Sequence, residues 1–213
     1  MIIKKPITAT INKDNQYSTY LHFERGERIQ FYTRGAIAWP EGDREGFVLM
    51  AGQRIDTGII YIFEQTWFWT IDHWLNPDGS VKQRPAGGFY LGLIQAILDW
   101  DALYKCCSYF HGGQHVDVVR RHSIELYRNQ LLPRRIQIID VPYVKEVGDD
   151  LIKERLQKRG FVGQIDSPLH KSVSQYTAMA AAGVGDNNAV HCLRALFSGY
   201  EHQPFKDIKI NLD

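Results

Sequence analysis

One aspartate in the middle of the chain stands where a helix should be apolar. Aliphatic and aromatic residues recur at helical spacing over residues 90–104, and Asp101 falls in the same row, between Ile97 and Tyr104. A carboxylate that faces a core must accept hydrogen bonds, pair with a cation or bind a metal, because burial of an isolated charge is costly. Asp101 is therefore the first candidate for a functional carboxylate. The alternatives are a structural carboxylate that caps a loop or pairs with an arginine, and a different helix register.

Two histidines and a second aspartate follow this predicted helix: His111, His115 and Asp117. Together with Asp101 they could supply nitrogen and oxygen ligands to a divalent metal ion. His115 and Asp117 would diverge on a helix, so they can meet only if His115 precedes the first turn. Asp117 could instead be an ordinary acidic residue of a first helical turn, paired with Arg121. His111 stands next to two glycines and equally fits a loop histidine.

Asp56 is a third candidate, in a segment that reads first as a turn before Gly58. If Asp56, Asp101, Asp117 and His115 came together, they could hold an ion that activates a water molecule for hydrolysis. The sequence contains no nucleophile elbow, P-loop or dinucleotide-binding fingerprint. We therefore expect no cofactor, with a divalent metal ion as the alternative, and the residues leave open whether the protein is an enzyme.

The composition argues for an ordinary protein of a reducing compartment. The 213 residues include 25 Lys and Arg and 24 Asp and Glu, a net charge of +1, so the basic excess typical of nucleic-acid binding is missing. No apolar run approaches the length of a membrane span, and the N-terminus does not resemble a signal peptide. Three cysteines with no metal-ligand spacing indicate reduced thiols. We expect a protein without a membrane segment that is cytoplasmic or virion-associated and is not secreted.

The order of predicted elements indicates the fold class. Residues 1–75 are strand-rich, with predicted strands over residues 17–23, 29–31, 47–50, 59–63 and 67–71. Residues 86–200 are helix-rich. Strands first and helices afterwards predict one α+β domain over residues 1–213, with an N-terminal, mainly antiparallel sheet packed against C-terminal helices.

The helix-rich part contains five predicted helices and one strand. The strand covers residues 136–141, and an alternating tail over residues 206–212 could form a C-terminal edge strand. The helices are predicted over residues 90–104 and 115–129, from Asp149 or Asp150 to Arg159, from Ser167 and Pro168 to Ala182, and onward from Asp186 or Asn187.

Three of these segments together resemble a small domain family of unknown function found in phages and prophages. In that family a turn carries an aspartate, a later helix carries His-Asp-x-Leu-Tyr, and a further helix opens with Ala-Asp and an apolar pair. The matching segments here are residues 52–58, 100–104 and 116–119, and the resemblance covers about residues 45–130. It groups Asp56, Asp101 and Asp117, but Trp100 stands where the family has its histidine, unless His111 or His115 takes that position.

Two functions from different classes follow. The first is a non-enzymatic structural or protein-interaction component, either of a phage virion or as a prophage accessory protein, that binds protein partners or self-assembles. The resemblance, the near-neutral charge and the 12% of aromatic residues, which can anchor an interface, support it. The alternative is a metal-dependent hydrolase that uses the Asp and His cluster.

Overall fold

The protein forms a mixed sheet with helices on both of its faces. In the computed structural model, the described residues are 5–15, 17–40, 45–69, 76, 78, 80, 91–106, 108–112, 116–130, 132, 136–142, 145–158, 160–163, 167, 169–173 and 187–202. All structural statements below concern these residues.

Five strands of the N-terminal part pair antiparallel in chain order, each with the next. They are β1 (Thr8–Ile11), β2 (Thr19–His22), β3 (Arg28–Ala38), β4 (Gly46–Arg54) and β5 (Ile60–Phe68). β4 is buried on both faces over most of its length, so its apolar residues form a continuous run rather than an alternating one.

Three strands of the later part join the same sheet in parallel. They are β6 (Ser108–His111), β7 (Gln137–Asp140) and β8 (Phe161–Val162). β6 pairs with β3 and with β7, and β8 pairs with β5. The 11 residues of β3 make this possible, because β2 occupies the first part of one edge and β6 pairs with Gly35 and Ala36 further along that edge.

Over the described residues, the two faces of the sheet are covered by α1 (Leu91–Tyr104), α2 (Val116–Arg128), α3 (Lys145–Gln157) and α4 (Asn188–His202). α4 packs on the face that carries Phe47 and Leu49, and α3 packs against α4. α1 and α2 contribute to the opposite core, which contains Val48 and Met50. Successive side chains of β4 point to opposite faces of the sheet and therefore belong to two separate cores. β6, α2 and β7 form a parallel strand–helix–strand unit.

The predicted fold class is confirmed: an N-terminal, mainly antiparallel sheet packs against C-terminal helices. The strand-rich and helix-rich parts share one sheet, while a single domain over residues 1–213 stays a prediction. Asn187 is confirmed as a helix cap, since its Oδ1 accepts a hydrogen bond from Val190 N. Ser167 Oγ likewise accepts a hydrogen bond from His170 N, within a helical stretch described over residues 169–173.

Other local predictions need correction. A helix capped by Asp149 or Asp150 is wrong, because α3 begins at Lys145 and encloses both aspartates. The separate strands predicted over residues 59–63 and 67–71 are wrong, because one strand, β5, runs without a break from Ile60 to Phe68, and β6 and β8 were not predicted. Residues 70 and 71 lie outside the described residues. The tail over residues 206–212, His115 and Asp186 lie outside the described residues.

Candidate functional sites

Asp101 lies at the border of the core face of α1. The buried positions of this helix are Leu93, Ala96, Ile97, Trp100 and Tyr104, whereas Asp101 is half-buried. Trp100 therefore occupies the buried position that the sequence predicted for the aspartate, so the helix register differs by one position at this point.

The polar centre of this face is Glu64 rather than Asp101. The phenol of the fully buried Tyr104 donates a hydrogen bond of 3.1 Å to Glu64 Oε1, and Lys5 Nζ lies 2.8 Å from Glu64 Oε2. The Tyr104 ring also stacks on Phe63, with 5.3 Å between centroids. Burial, with the charge of Glu64 as a second cause, raises the pKa of Tyr104, so the phenol remains a neutral donor.

A β-bulge directs Glu64 to this position. Met50 pairs with Glu64 and Ala51 pairs with Ile62, which leaves Phe63 as an extra residue in β5. Because of this insertion, two successive side chains, Phe63 and Glu64, both face Tyr104. Glu64 was not predicted as a site residue, because it lies between the two runs that the sequence pattern indicates as separate strands. The arrangement ties α1 and the N-terminal residue Lys5 to the centre of the sheet.

Asp56 is a turn residue, as its segment of the sequence first indicated. It lies in the hairpin between β4 and β5, where Arg54 Nε is 2.6 Å from Asp56 Oδ1 and Arg54 Nη2 is 2.8 Å from Oδ2. Gly58 completes the turn with a φ of 69°, a conformation that favours glycine. This two-point pairing raises the pKa of Arg54 and accounts for the position of the Asp56 carboxylate.

Charged residues collect at the carboxyl ends of β6 and β7. His111 and Asp140 are opposite each other in the parallel ladder, and His111 is buried in β6 rather than in a loop. Arg120 of α2 lies 3.5 Å from Asp117 and 3.9 Å from Asp140. Asp117 is exposed on 85% of its side chain and sits in the first turn of α2, with Arg120 rather than the predicted Arg121 as its partner.

The carboxyl ends of parallel strands are where ligands commonly bind in mixed and parallel sheets. Of the predicted set, His111 and Asp117 come to this region, and the structure adds Asp140 and Arg120. Asp140 could have been found from the sequence, as the acidic residue near the end of the strand predicted over residues 136–141.

The predicted metal ligands do not gather into one group over the described part of the chain. Within it, no three His, Cys, Asp or Glu residues are arranged to hold a metal ion. Asp56 lies in a hairpin, Asp101 in α1 and Asp117 in α2. The metal site therefore stays a prediction that would need His115 or another residue outside the described ranges.

The two described cysteines are buried free thiols, as expected for reduced cysteines. Cys192 Sγ donates a hydrogen bond to Ala36 O, and burial raises the pKa of the Cys192 thiol. A buried, neutral thiol is a poor nucleophile, so Cys192 serves the packing of α4 on the sheet.

The strand β1 forms an apolar edge of the sheet. Ile7 is 60% exposed and Ile11 is 52% exposed, while Ala9 between them is buried. No described strand pairs with the outer side of β1. Exposed sheet edges are normally protected by charges, prolines or very short strands, and the four residues of β1 are Thr-Ala-Thr-Ile.

Comparisons with protein-family models, curated proteins and solved structures find no match to this chain. Among the described helices, none has the length and apolar character needed to cross a membrane. The phage and prophage resemblance thus remains a prediction that rests on its three motifs.

Proposed function

We propose that the protein is a non-enzymatic structural or protein-interaction component, of a phage virion or as a prophage accessory protein, and that copies of it assemble through the outer edge of β1. The assignment to a phage rests on the motif resemblance. The assignment to assembly rests on one observation: the uncharged strand β1 lies at a sheet edge, with an exposed isoleucine in it, Ile11, and another just before it, Ile7.

The hydrogen bonding of β1 shows which backbone groups remain at this edge. Asn12 N donates to Ser18 O, and Thr10 is opposite Tyr20 in the same ladder. Bonded pairs alternate along an antiparallel ladder, so the groups of Thr10 point toward β2 and those of Ala9 and Ile11 point outward. Each copy therefore offers two N–H and two C=O groups to a further strand.

A second copy fits this edge about a twofold axis at Thr10. In that register Ala9 of one copy exchanges hydrogen bonds with Ile11 of the other, and Thr10 faces Thr10 of the other copy. Lys13 then falls opposite Ile7, so no lysine faces a lysine across the axis. The uncharged strand makes the contact self-complementary, because like charges directly opposite each other would destabilise it.

The other described edges suit assembly less well. β7 ends in the charged Asp140, and β8 has two residues. Charges and short strands are features that discourage edge-to-edge pairing.

The hydrolase alternative has less support. Asp56 is held by Arg54, and Asp117 lies beside Arg120 on the exposed side of α2. Over the described residues, Asp56, Asp101 and Asp117 belong to no group of three His, Cys, Asp or Glu that could hold a metal ion.

Sedimentation equilibrium of the full chain over a range of concentrations tests the proposal. We expect a concentration-dependent dimer for the wild type and a monomer for Thr10→Lys, which would place two lysines face to face. Thr8→Lys is the matched control, because the exposed Thr8 would face Asn12 of the other copy and should leave the dimer intact. A wild-type protein that stays monomeric at every concentration would overturn the proposal.

A further inference from the structure

We infer that residues 208–211, in the tail outside the described residues, pair as a strand with the outer edge of β1 in the same molecule and compete there with a second copy. The pairing within one molecule is independent of the proposed assembly, whereas the competition rests on it. The residue pattern of the tail, the residue pattern of β1 and the position at which α4 ends support the pairing.

The tail alternates between apolar and polar residues. Ile208 and Ile210 are each followed by a polar residue, Lys209 and Asn211, within the segment 206–212 that the sequence predicts as an edge strand. Successive side chains of a strand point to opposite faces of the sheet, so the two isoleucines share one face and the two polar residues share the other. A strand of this kind suits an antiparallel sheet with one face in water.

β1 has the same alternation. Ala9 belongs to the core on the α1 side of the sheet, and Ile11, two residues later, points to the same side but is 52% exposed. Thr8 and Thr10 are exposed and point to the other side. A strand outside β1 with its apolar residues on the side of Ala9 therefore covers Ile11.

One antiparallel register brings the two patterns together. The opposed pairs in this register are Ile208 with Ile11, Lys209 with Thr10, Ile210 with Ala9, and Asn211 with Thr8. The backbone groups of Ala9 and Ile11 point away from β2, so these two residues exchange hydrogen bonds with the two isoleucines of the tail. Apolar side chains meet on one face, and none of the four pairs opposes two charges.

α4 ends over the row of residues that leads across the sheet to Ile11. Tyr200, in the last turn of α4, donates a hydrogen bond of 2.7 Å to Tyr32 O of β3. The residue before Tyr32 is Phe31, which pairs with Thr19 of β2, and Thr19 pairs with Ile11. The tail therefore comes to Ile11 first and continues toward the start of β1, which is the direction that antiparallel pairing needs.

The tail is long enough to reach this edge. Three inter-strand spacings separate β3 from a strand outside β1, about 15 Å in total, and a layer packed on a sheet lies roughly 10 Å above it. The straight-line distance from the end of α4 is then about 18 Å. The six residues from His202 to Ile208 span up to about 20 Å when extended. Ile208 can therefore lie opposite Ile11.

Hydrogen exchange of the Ala9 and Ile11 amides tests the pairing, by NMR on the full chain at a concentration where sedimentation detects only monomer. We expect both amides to exchange at least about tenfold more slowly than in an unstructured peptide, because each donates to the tail. Ile210→Pro should remove this protection, since it removes the N–H that donates to Ala9 O. Asn211→Pro is the matched control, because the N–H of residue 211 points away from β1 and an edge strand accepts proline on that side.

The dimer provides a second readout. Tenfold protection leaves the edge free in about one molecule of ten, so Ile210→Pro should tighten the dimer by at least about tenfold in sedimentation equilibrium, and Asn211→Pro should not. Unprotected Ala9 and Ile11 amides in the monomer, or equal effects of the two prolines, would overturn the pairing even if the wild type dimerises. A dimer that Ile210→Pro leaves unchanged would overturn the competition. Protected amides in a chain that never dimerises would support the pairing, and only the proposed assembly would fail.

Discussion

Asp149 of α3 holds the guanidinium of Arg194 of α4 in the interior of the protein. Asp149 Oδ1 lies 2.6 Å from Arg194 Nε, and the Arg194 side chain is 0% exposed. The stem of Arg194 passes over Gly148, where an added Cβ would come within 2.8 Å of Arg194 Cγ. The pair therefore joins the two helices that cover one face of the sheet.

Removal of this carboxylate should be strongly destabilising. Asp149→Ala removes the carboxylate that pairs with the buried guanidinium of Arg194, and we expect the free energy of unfolding to fall by about 3–5 kcal/mol. Urea unfolding followed by tryptophan fluorescence measures it. Asp150→Ala, at an exposed site of the same helix, should change the value by no more than about 0.5 kcal/mol. Equal effects of the two substitutions would contradict the structural role of the Arg194 pair.

Tyr104 should make stability depend on alkaline pH. Its folded pKa is raised by burial and by Glu64, whereas the phenol of the unfolded chain ionises near pH 10. Below about pH 10 both states are protonated and the contribution is constant. Above it the unfolded state loses its proton first, so stability should fall by about 1.4 kcal/mol per pH unit.

The comparison of wild type with Tyr104→Phe isolates this contribution, because the other titrating groups are common to both proteins. At pH 8 the variant should be less stable by about 1 kcal/mol, through loss of the hydrogen bond to Glu64. The difference should shrink and then reverse between pH 10 and pH 11, as measured by urea unfolding at each pH. A difference that stays constant over this interval would show that Tyr104 is not protected from ionisation.

The contact between α4 and β6 should not tolerate one added methyl group. A Cβ on Gly199 would lie 2.4 Å from the Phe110 ring, inside the core, so Gly199→Ala should lower the free energy of unfolding by about 1–3 kcal/mol. Gly163→Ala is the matched control, because its Cβ would meet nothing within 4 Å. Chemical denaturation of the two variants compares them, and a neutral Gly199→Ala would mean that α4 lies further from β6.

The divalent metal content of the purified protein tests the hydrolase alternative. Protein purified without chelator should contain far less than one equivalent of any divalent metal, and Asp101→Asn should change neither the metal content nor the midpoint of thermal unfolding by a large amount. Asp56→Asn removes the hairpin carboxylate of the same hypothetical set and should likewise leave the metal content unchanged. Stoichiometric metal in the wild type that disappears in Asp101→Asn would restore the enzyme hypothesis.

Sequence patterns over a few neighbouring residues predicted the elements whose formation depends on those same residues. Turn residues, alternation and caps led to the antiparallel strands, to α2 and to the cap at Asn187. These patterns gave the wrong element boundaries where residues far apart in the chain are in contact. Asp149 resembles a helix cap in the sequence, but it lies inside α3, where its carboxylate accepts a hydrogen bond from Arg194, 45 residues later in the chain. β6 was missed because all four of its residues are buried, which removes the alternation that marks a strand.

The candidate site was harder to predict than the fold, for the same physical reason. If the buried face of α1 is shifted by one residue, Trp100 instead of Asp101 points into the core. The spacing of apolar residues alone does not decide between these two orientations of the helix. The bulge that directs Glu64 to Tyr104 depends on the register in which β4 pairs with β5, and no residue type or spacing in the sequence indicates it. His111 and Asp117 were recognised by type, but their neighbour Asp140 comes from a different strand.

A mixture of two variants that carry opposite charges at residue 10 tests assembly through β1 most directly. Thr10→Lys and Thr10→Glu should each sediment as a monomer, because each places like charges across the twofold axis. An equimolar mixture should form a heterodimer, which sedimentation velocity detects as a faster boundary than either variant alone gives. Two variants that dimerise alone as well as the wild type, or a mixture that remains monomeric while the wild type dimerises, would contradict pairing of β1 about Thr10.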